Sequence, residues 1–384
     1  MSDLIMINNL PCLTWNRLDL NRAAVDSRDL EVNTEVPVEF LTLPDGVSCR
    51  PVTGAAAAKL LARTPVQVPE RVQAGKVPIY HPQRFATGLG GDFDRLASAA
   101  ADAAGKKVQL LEVRPGAAPA RPILWHTEYH DGNRALSRQI IHVGEGASLT
   151  LVMDFVSGAE DGGMAGVSTG VILDRGARLD LCRVQMLGSS YVHFDDMGAS
   201  LGEEAAMTYR QLELGGSRTY AGAQAELIGR RSSFTARMGY FATETAKMDI
   251  GYNVVQRGRR TKSDMTFDGA LAGHAAKTFR GTIDFRNGSA GSTGDEQENV
   301  LLLSPAIVNK TIPVILCEEE DVQGRHGATV GRLADDILFY FGTRGVGMRE
   351  AQEMMVTARL GAVAREIPDE DLRSRIDAFI SGKI

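Results

Sequence analysis

Ala147-Ser-Leu-Thr-Leu-Val-Met153, Ala177-Arg-Leu-Asp-Leu-Cys182, Met207-Thr-Tyr-Arg-Gln-Leu-Glu-Leu214, Ser233-Phe-Thr-Ala-Arg-Met238 and Thr278-Phe-Arg-Gly-Thr-Ile-Asp-Phe285 are the runs that decide the fold of this 384-residue chain. Each alternates with period two, which sends one set of side chains inward and the other toward solvent. From about Val108 to Ser304 similar runs recur at spacings of roughly 8 to 12 residues, separated by Gly, Asp and Asn and nearly free of helical periodicity. Strands in this number can close as a sandwich, a barrel or a β-solenoid, and periodicity does not choose among them. Three features favour the solenoid: Gly at many strand ends, small residues at many inward positions, and an aromatic content of only 6%. Stacked narrow coils suit that composition better than a thick sandwich core.

The flanks read differently. Residues 1 to 105 mix both element types, with an alanine-rich helix at Gly54–Ala62 and another from Asp92 to Ala104. After His326 the period becomes helical. Leu333–Phe341 predicts one helix, halted near Gly342 and Gly345. Met348 to Ile367 predicts a second, with Ala351, Met354, Met355, Ala358 and Ala362 on one face. A third begins at Pro368, where Asp369, Glu370 and Asp371 complement the helix dipole. The expected organisation is mainly β: an α+β region over 1–105, a strand-rich core over 106–331 and a helical domain over 332–384.

A net charge of -6 and a pI near 5.7 argue against a nucleic-acid surface, which needs a clustered positive field. The basic run Arg257-Gly-Arg-Arg-Thr-Lys262 reads as a solvated turn. Cys12, Cys49, Cys182 and Cys317 are scattered, which suggests neither a disulfide framework nor a structural zinc site and suits a reducing cytosol. The N-terminus lacks a signal-peptide pattern and no window approaches the ~18 apolar residues of a membrane span, so a cytoplasmic protein with no membrane partner is expected. Thr87-Gly-Leu-Gly-Gly-Asp-Phe93 imitates a phosphate loop, but Phe93 stands where a third Gly is needed and no Lys-Ser/Thr follows, so no nucleotide bound by this chain itself is expected. His126 and His130 fall in a strand and the following turn, a poor setting for a metal pair. Asp264, Asp268, Asp284, Lys277 and Arg280 could line the groove of a polysaccharide-cleaving enzyme.

The C-terminal stretch carries the remaining signal: Asn299-Val-Leu-Leu-Leu-Ser304, Pro313-Val-Ile-Leu-Cys317, His326-Gly-Ala-Thr-Val-Gly331, Ile337-Leu-Phe-Tyr-Phe341 and Thr343-Arg-Gly-Val346. His326, read as sitting in a Gly-bounded turn between strands and helices, can offer a neutral nitrogen to iron or relay a proton. Cys317, ending an apolar strand, can add a thiolate. An iron–sulfur cluster needs about four ligands, so any cluster here is shared with a partner.

This order of motifs resembles the SufB/SufD family of the SUF iron–sulfur assembly system, strongly from about Arg280 onward and closest to SufD. The resemblance implies a parallel β-helix core, no catalytic turnover, and a complex with the SufC ATPase and a SufB-type paralogue. In the SufD pattern a histidine followed by Gly-Ala-Thr lies at the SufB interface, where a transient cluster forms; His326, Gly327, Ala328 and Thr329 match it. Gly324 stands where typical SufD sequences have a cysteine. The upstream SufB cysteine falls near Glu298, and the carboxylates flanking the SufB histidine are Arg325 and Gly327 here. The resemblance thus makes His326 and Cys317 the candidate cluster and metal ligands. It makes Phe339, Tyr340, Phe341, Met354 and Met355 the anchors for SufC. Leu10-Pro-Cys-Leu-Thr-Trp-Asn-Arg-Leu18 is similar to a Pro–Thr–Trp segment of some SufD-like proteins. Two other readings stay open: a homodimeric SufB/SufD-type scaffold working with SufC, and a carbohydrate-active β-helix enzyme.

Overall fold

A computed structural model describes residues 4–12, 18, 20–35, 38–40, 43–62, 85–103, 108–332 and 335–383. Residues 13–17 of the Pro–Thr–Trp-like segment, and Leu333 and Ala334 of the first predicted helix, lie outside them.

Two nine-stranded sheets face each other. One contains β3 (Val38–Phe40), β6 (Ile123–Glu128), β8 (Ser148–Val156), β10 (Arg178–Met186), β12 (Ala206–Glu213), β14 (Ser233–Ala242), β16 (Lys262–Leu271), β18 (Ser292–Leu302) and β20 (Val322–Arg332), in that spatial order. The other contains β4 (Val47–Val52), β5 (Val108–Val113), β7 (Arg134–Val143), β9 (Gly162–Leu173), β11 (Ser190–Leu201), β13 (Arg218–Leu227), β15 (Lys247–Gln256), β17 (Ala276–Phe285) and β19 (Val308–Cys317). From β5 onward successive strands alternate between the sheets and every pairing is parallel, which makes a β-solenoid of eight coils. The solenoid expected from the small inward residues and the family resemblance is therefore the observed fold.

The alternating runs explain the interior. Leu149, Leu151, Met153 and Phe155 of β8 point into the lumen beside Leu179 and Leu181 of β10, then Met207 and Tyr209 of β12, in unbroken register. At one corner each coil turns through a residue of positive φ, and its N–H donates to a carbonyl of the next coil. Gly146, Gly176 and Gly291 supply three of these turns; Glu204, Arg231 and Arg260 hold the same conformation at φ near +58°.

The two ends of the solenoid differ. At the first coil the sheets end in the short strands β3 (three residues) and β4 (six residues), which add antiparallel to β6 and β5. At the last coil, β19 pairs only with β17 and β20 only with β18, leaving outer rows of N–H and C=O unpaired among the described residues.

The additional elements cover the flanks. β1 (Leu4–Ile7), β2 (Ala23–Asp26) and α2 (Gly91–Ala103) lie on the β7–β9–β11 face, with Phe93 stacked on Phe194; α1 (Gly54–Leu61) packs beside β5. α3 (Asp335–Thr343), α4 (Met348–Ala364) and α5 (Glu370–Lys383) follow the last strand. α4 rests on the outer face of β12, β14 and β16, tied by Arg210–Glu366 and, through α5, by Arg375–Asp154. These helices therefore do not cap the open end. The predicted face of the second helix also needs correction: Ala351, Val356, Leu360, Val363 and Ala364 are buried, while Met354, Ala358 and Ala362 point to solvent.

Candidate functional site at the open end

The last coil brings the chemistry-bearing residues to one exposed end. His326 does not sit in a turn; it is the fifth residue of β20 and exposed. The helical signal after it led the turn reading astray, because the strand continues to Arg332 before the chain leaves the sheet. In parallel register His326 lies beside Glu296, Ala328 beside Glu298 and Gly324 beside Gly294. Adjacent strands are about 4.8 Å apart, so His326 and Glu296 are lateral neighbours on the last two coils.

Glu296 was not among the residues singled out from sequence. It is 1% exposed, neither carboxyl oxygen has a hydrogen-bond partner, and burial followed by repulsion from Glu298 raises its pKa to about 8. Glu298, two residues on, is satisfied: Tyr240 donates to it at 2.8 Å, Thr311 at 2.6 Å, and Lys277 pairs with it inside the lumen. The inward alternation Gly294, Glu296, Glu298, Val300 was the available signal. Two acids on the face that continues into Val300 have to be buried.

Cys317 ends β19 and is exposed, its thiol 3.0 Å from the Glu319 carbonyl. The structure does not bring it to His326. The Gly324 position packs against Ile315, so His326 lies level with Pro313, about four residues or roughly 13 Å along the strand from Cys317. A Cβ at Gly324 would lie 2.9 Å from the Phe285 ring, which accounts physically for the missing side chain there.

Among the predicted anchors, Phe339, Tyr340 and Met354 are exposed at 75%, 56% and 49%, as are Ile337 and Met348 nearby in sequence. Phe341 is half-buried against Tyr340, and Met355 packs toward the sheet. The large apolar side chains that α3 and α4 present to solvent are thus Ile337, Phe339, Tyr340, Met348 and Met354.

The remaining sequence candidates resolve into structural roles. The Thr87–Phe93 stretch presses its backbone on the sheet, since a Cβ at Gly88 would lie 2.0 Å from Ala223 N and Leu89 N–H donates to Asp196 at 2.8 Å. His126 binds Asp154 at 2.9 Å and His142 binds Asp174 at 2.9 Å, one coil over in each case. Asp264 and Asp268 lie on one outer face, Arg280 and Asp284 on the other, and Lys277 inside, so no common groove joins them. A surface groove of about 700 Å³ runs past Arg175, Arg230 and Arg257, each paired with a glutamate of a neighbouring coil (Glu145, Glu203, Glu226). No helix among the described residues is long and apolar enough to cross a membrane.

The fold defines the class, a single-chain parallel β-solenoid that begins in two short antiparallel strands, ends in two long parallel ones and carries a helical appendage on its flank. Comparison supplies the family: the model for the SufBD core domain of SUF system FeS cluster assembly matches residues 126–359, more than half of the chain, and the chain belongs to that family. Similar proteins include the iron–sulfur cluster assembly protein SufD of Escherichia coli, 23% identical over 284 residues, covering 73% of this chain and 67% of that protein. A SufBD family protein of Synechocystis is 24% identical over 197 residues, covering 51% of this chain and 41% of its own length. SufD of Bacillus subtilis is 25% identical over 131 residues, covering 34% and 30%. The chain thus spans less than half of the last two relatives.

Proposed function

We propose that this chain is a SufD-type scaffold subunit that pairs through its open end with a SufB-type paralogue and docks a SufC-type ATPase through its C-terminal helices. It has no turnover of its own in this reading. A nascent iron–sulfur cluster is cargo held between the partners, to which His326 offers an imidazole nitrogen with Glu296 behind it; Cys317 stands at the other end of the same coil. The observation that carries the reading is the asymmetry of the solenoid. The edge bearing the family histidine consists of the long parallel strands β19 and β20, whereas the opposite edge is blunted by the short antiparallel strands β3 and β4. ATP-driven rearrangement of the ATPase would act through α3 and α4, with the energy coming from different contacts in its two states.

The test is co-purification with SufB-type and SufC-type partners, with masses determined for each complex. Phe339→Ala/Tyr340→Ala should abolish ATPase capture while leaving the melting temperature unchanged, because both side chains are exposed. His326→Ala should preserve the complex and lose cluster assembly. ATPase capture unaffected by the double variant would refute the docking surface, and full assembly by His326→Ala would refute the ligand role. A chain that only self-associates would return the homodimeric scaffold.

A further inference from the structure

A second set of ligand-type side chains lies deep in the lumen, in the coil formed by β11 and β12, and has no part in the open-end chemistry. His193 and Asp195 face inward from β11, between Tyr191 and Met197, and Glu213 faces them from β12. All three are 0–1% exposed. The ring is oriented by its first nitrogen: Nδ1 lies 2.9 Å from the Ala165 carbonyl, which only accepts, so Nδ1 carries the proton and Nε2 presents a lone pair. Nε2 is 3.8 Å from Glu213 Oε2 and 4.0 Å from Asp195 Oδ2. Neither Nε2 nor Glu213 Oε2 has a hydrogen-bond partner.

Electron-rich atoms thus converge, fully buried, with no donor between His193 and Glu213. Buried polar atoms are normally satisfied, and leaving them unpaired costs about 1–3 kcal/mol each. The surrounding groups hold the carboxylates in place: Arg183 pairs with Asp195 on its Oδ1 side, and Gln211 Nε2 donates to Asp195 at 3.1 Å and to Glu213 Oε1 at 2.7 Å. A shared proton on Glu213 would have to span 3.8 Å, too long for a hydrogen bond. A cation fits better. The three side chains each offer an atom within 4.8 Å of the others. An ion between them would lie about 2.5 Å from each, a few tenths of an ångström from Zn–N and Zn–O bond lengths of about 2.0–2.2 Å.

We propose that His193, Asp195 and Glu213 bind one divalent first-row transition ion of the zinc class inside the solenoid. One imidazole with two carboxylates selects that class: calcium and magnesium take oxygen alone, and cuprous ion prefers sulfur. With both carboxylates ionised, Asp195, Glu213 and Arg183 sum to -1, a field that attracts a cation, and a divalent ion brings the sum to +1. Because the site is enclosed, the ion is acquired as the coil folds and is released slowly. This site is independent of the partner-binding reading.

The experiment is metal analysis of the full chain expressed in zinc-supplemented medium, and the visible spectrum of chain expressed with cobalt as the only added transition metal. Both are done in a His326→Ala/Cys317→Ala background, which removes the surface ligands. About one equivalent per chain is expected, with cobalt d–d bands, falling at least tenfold in Glu213→Gln and His193→Asn while circular dichroism is retained. If His193→Asn does not fold, the isosteric Glu213→Gln alone decides. Metal-free parent protein from both media, or occupancy unchanged in Glu213→Gln, would overturn the site and return a Glu213–His193 proton-sharing pair.

Discussion

Glu296→Gln should flatten the pH dependence of stability. In the folded chain the Glu296 pKa is raised from 4.5 to about 8, first by burial and then by Glu298. The unfolded chain releases this proton near pH 4.5 while the native chain keeps it. The native state therefore binds more protons between these values, and stability falls as pH rises, levelling off above about pH 8. The difference of about 3.5 units, at about 1.36 kcal/mol each, sets a ceiling of about 5 kcal/mol. Glutamine keeps the volume and has no charge to desolvate, and any cost of its own unpaired amide does not vary with pH. Urea unfolding of both proteins should give a stability difference that is flat below about pH 4, is already changing at pH 5, grows in favour of the variant by about 2–4 kcal/mol between pH 5 and 8, and levels off above that. Other buried acids, including Asp196 with a pKa raised to about 7 by burial, tilt both curves equally and cancel in the difference. Parallel curves from pH 5 to 9 would refute the reasoning, because a solvated or ion-paired Glu296 gives no differential slope.

Two further outcomes follow from packing and exposure. Leu360 is fully buried between α4 and the sheet, within reach of Gly239; Leu360→Ala should cost about 2–5 kcal/mol and render α4 and α5 the first segments cut by protease. Alkylation at about pH 8, followed by mass spectrometry, should modify exposed Cys317 first. Cys182, whose thiol is pushed up to about 12 mainly by burial, should stay unmodified until the chain unfolds. Early labelling of Cys182 would mean that α4 and α5 do not hold its outer face closed.

The alternating runs were legible because one face of each is apolar: Ala147–Met153 overlaps β8, Met207–Leu214 overlaps β12, and Thr278–Phe285 lies in β17. β11 was not legible, because both of its faces are covered. Tyr191-Val-His-Phe-Asp-Asp-Met197 has no polar side to alternate against, and its lumen-facing His193 and Asp195 look like solvent residues in sequence. The glycines at 88 and 90 imitate a ligand loop because both uses require a backbone without side chains in the way, and only the partner differs. On α4, alanine and methionine gave little contrast between faces, so the predicted stripe mixed inner Met355 with outer Met354. The coil that holds His326 and Cys317 could be located, but their separation could not, since it depends on which residue of β19 lies level with each residue of β20.

The difference between the first and last coils also bears on growth. A solenoid with two alike edges could add copies head to tail without end, as fibrils do, because each addition would recreate the surface it consumed. Here the two termini do not match: the first coil ends in short strands that run against their neighbours, the last in long strands that run with theirs. Head-to-tail stacking of copies would set the long strands against the short ones, so two short antiparallel strands at the far end of the molecule work against a fibre.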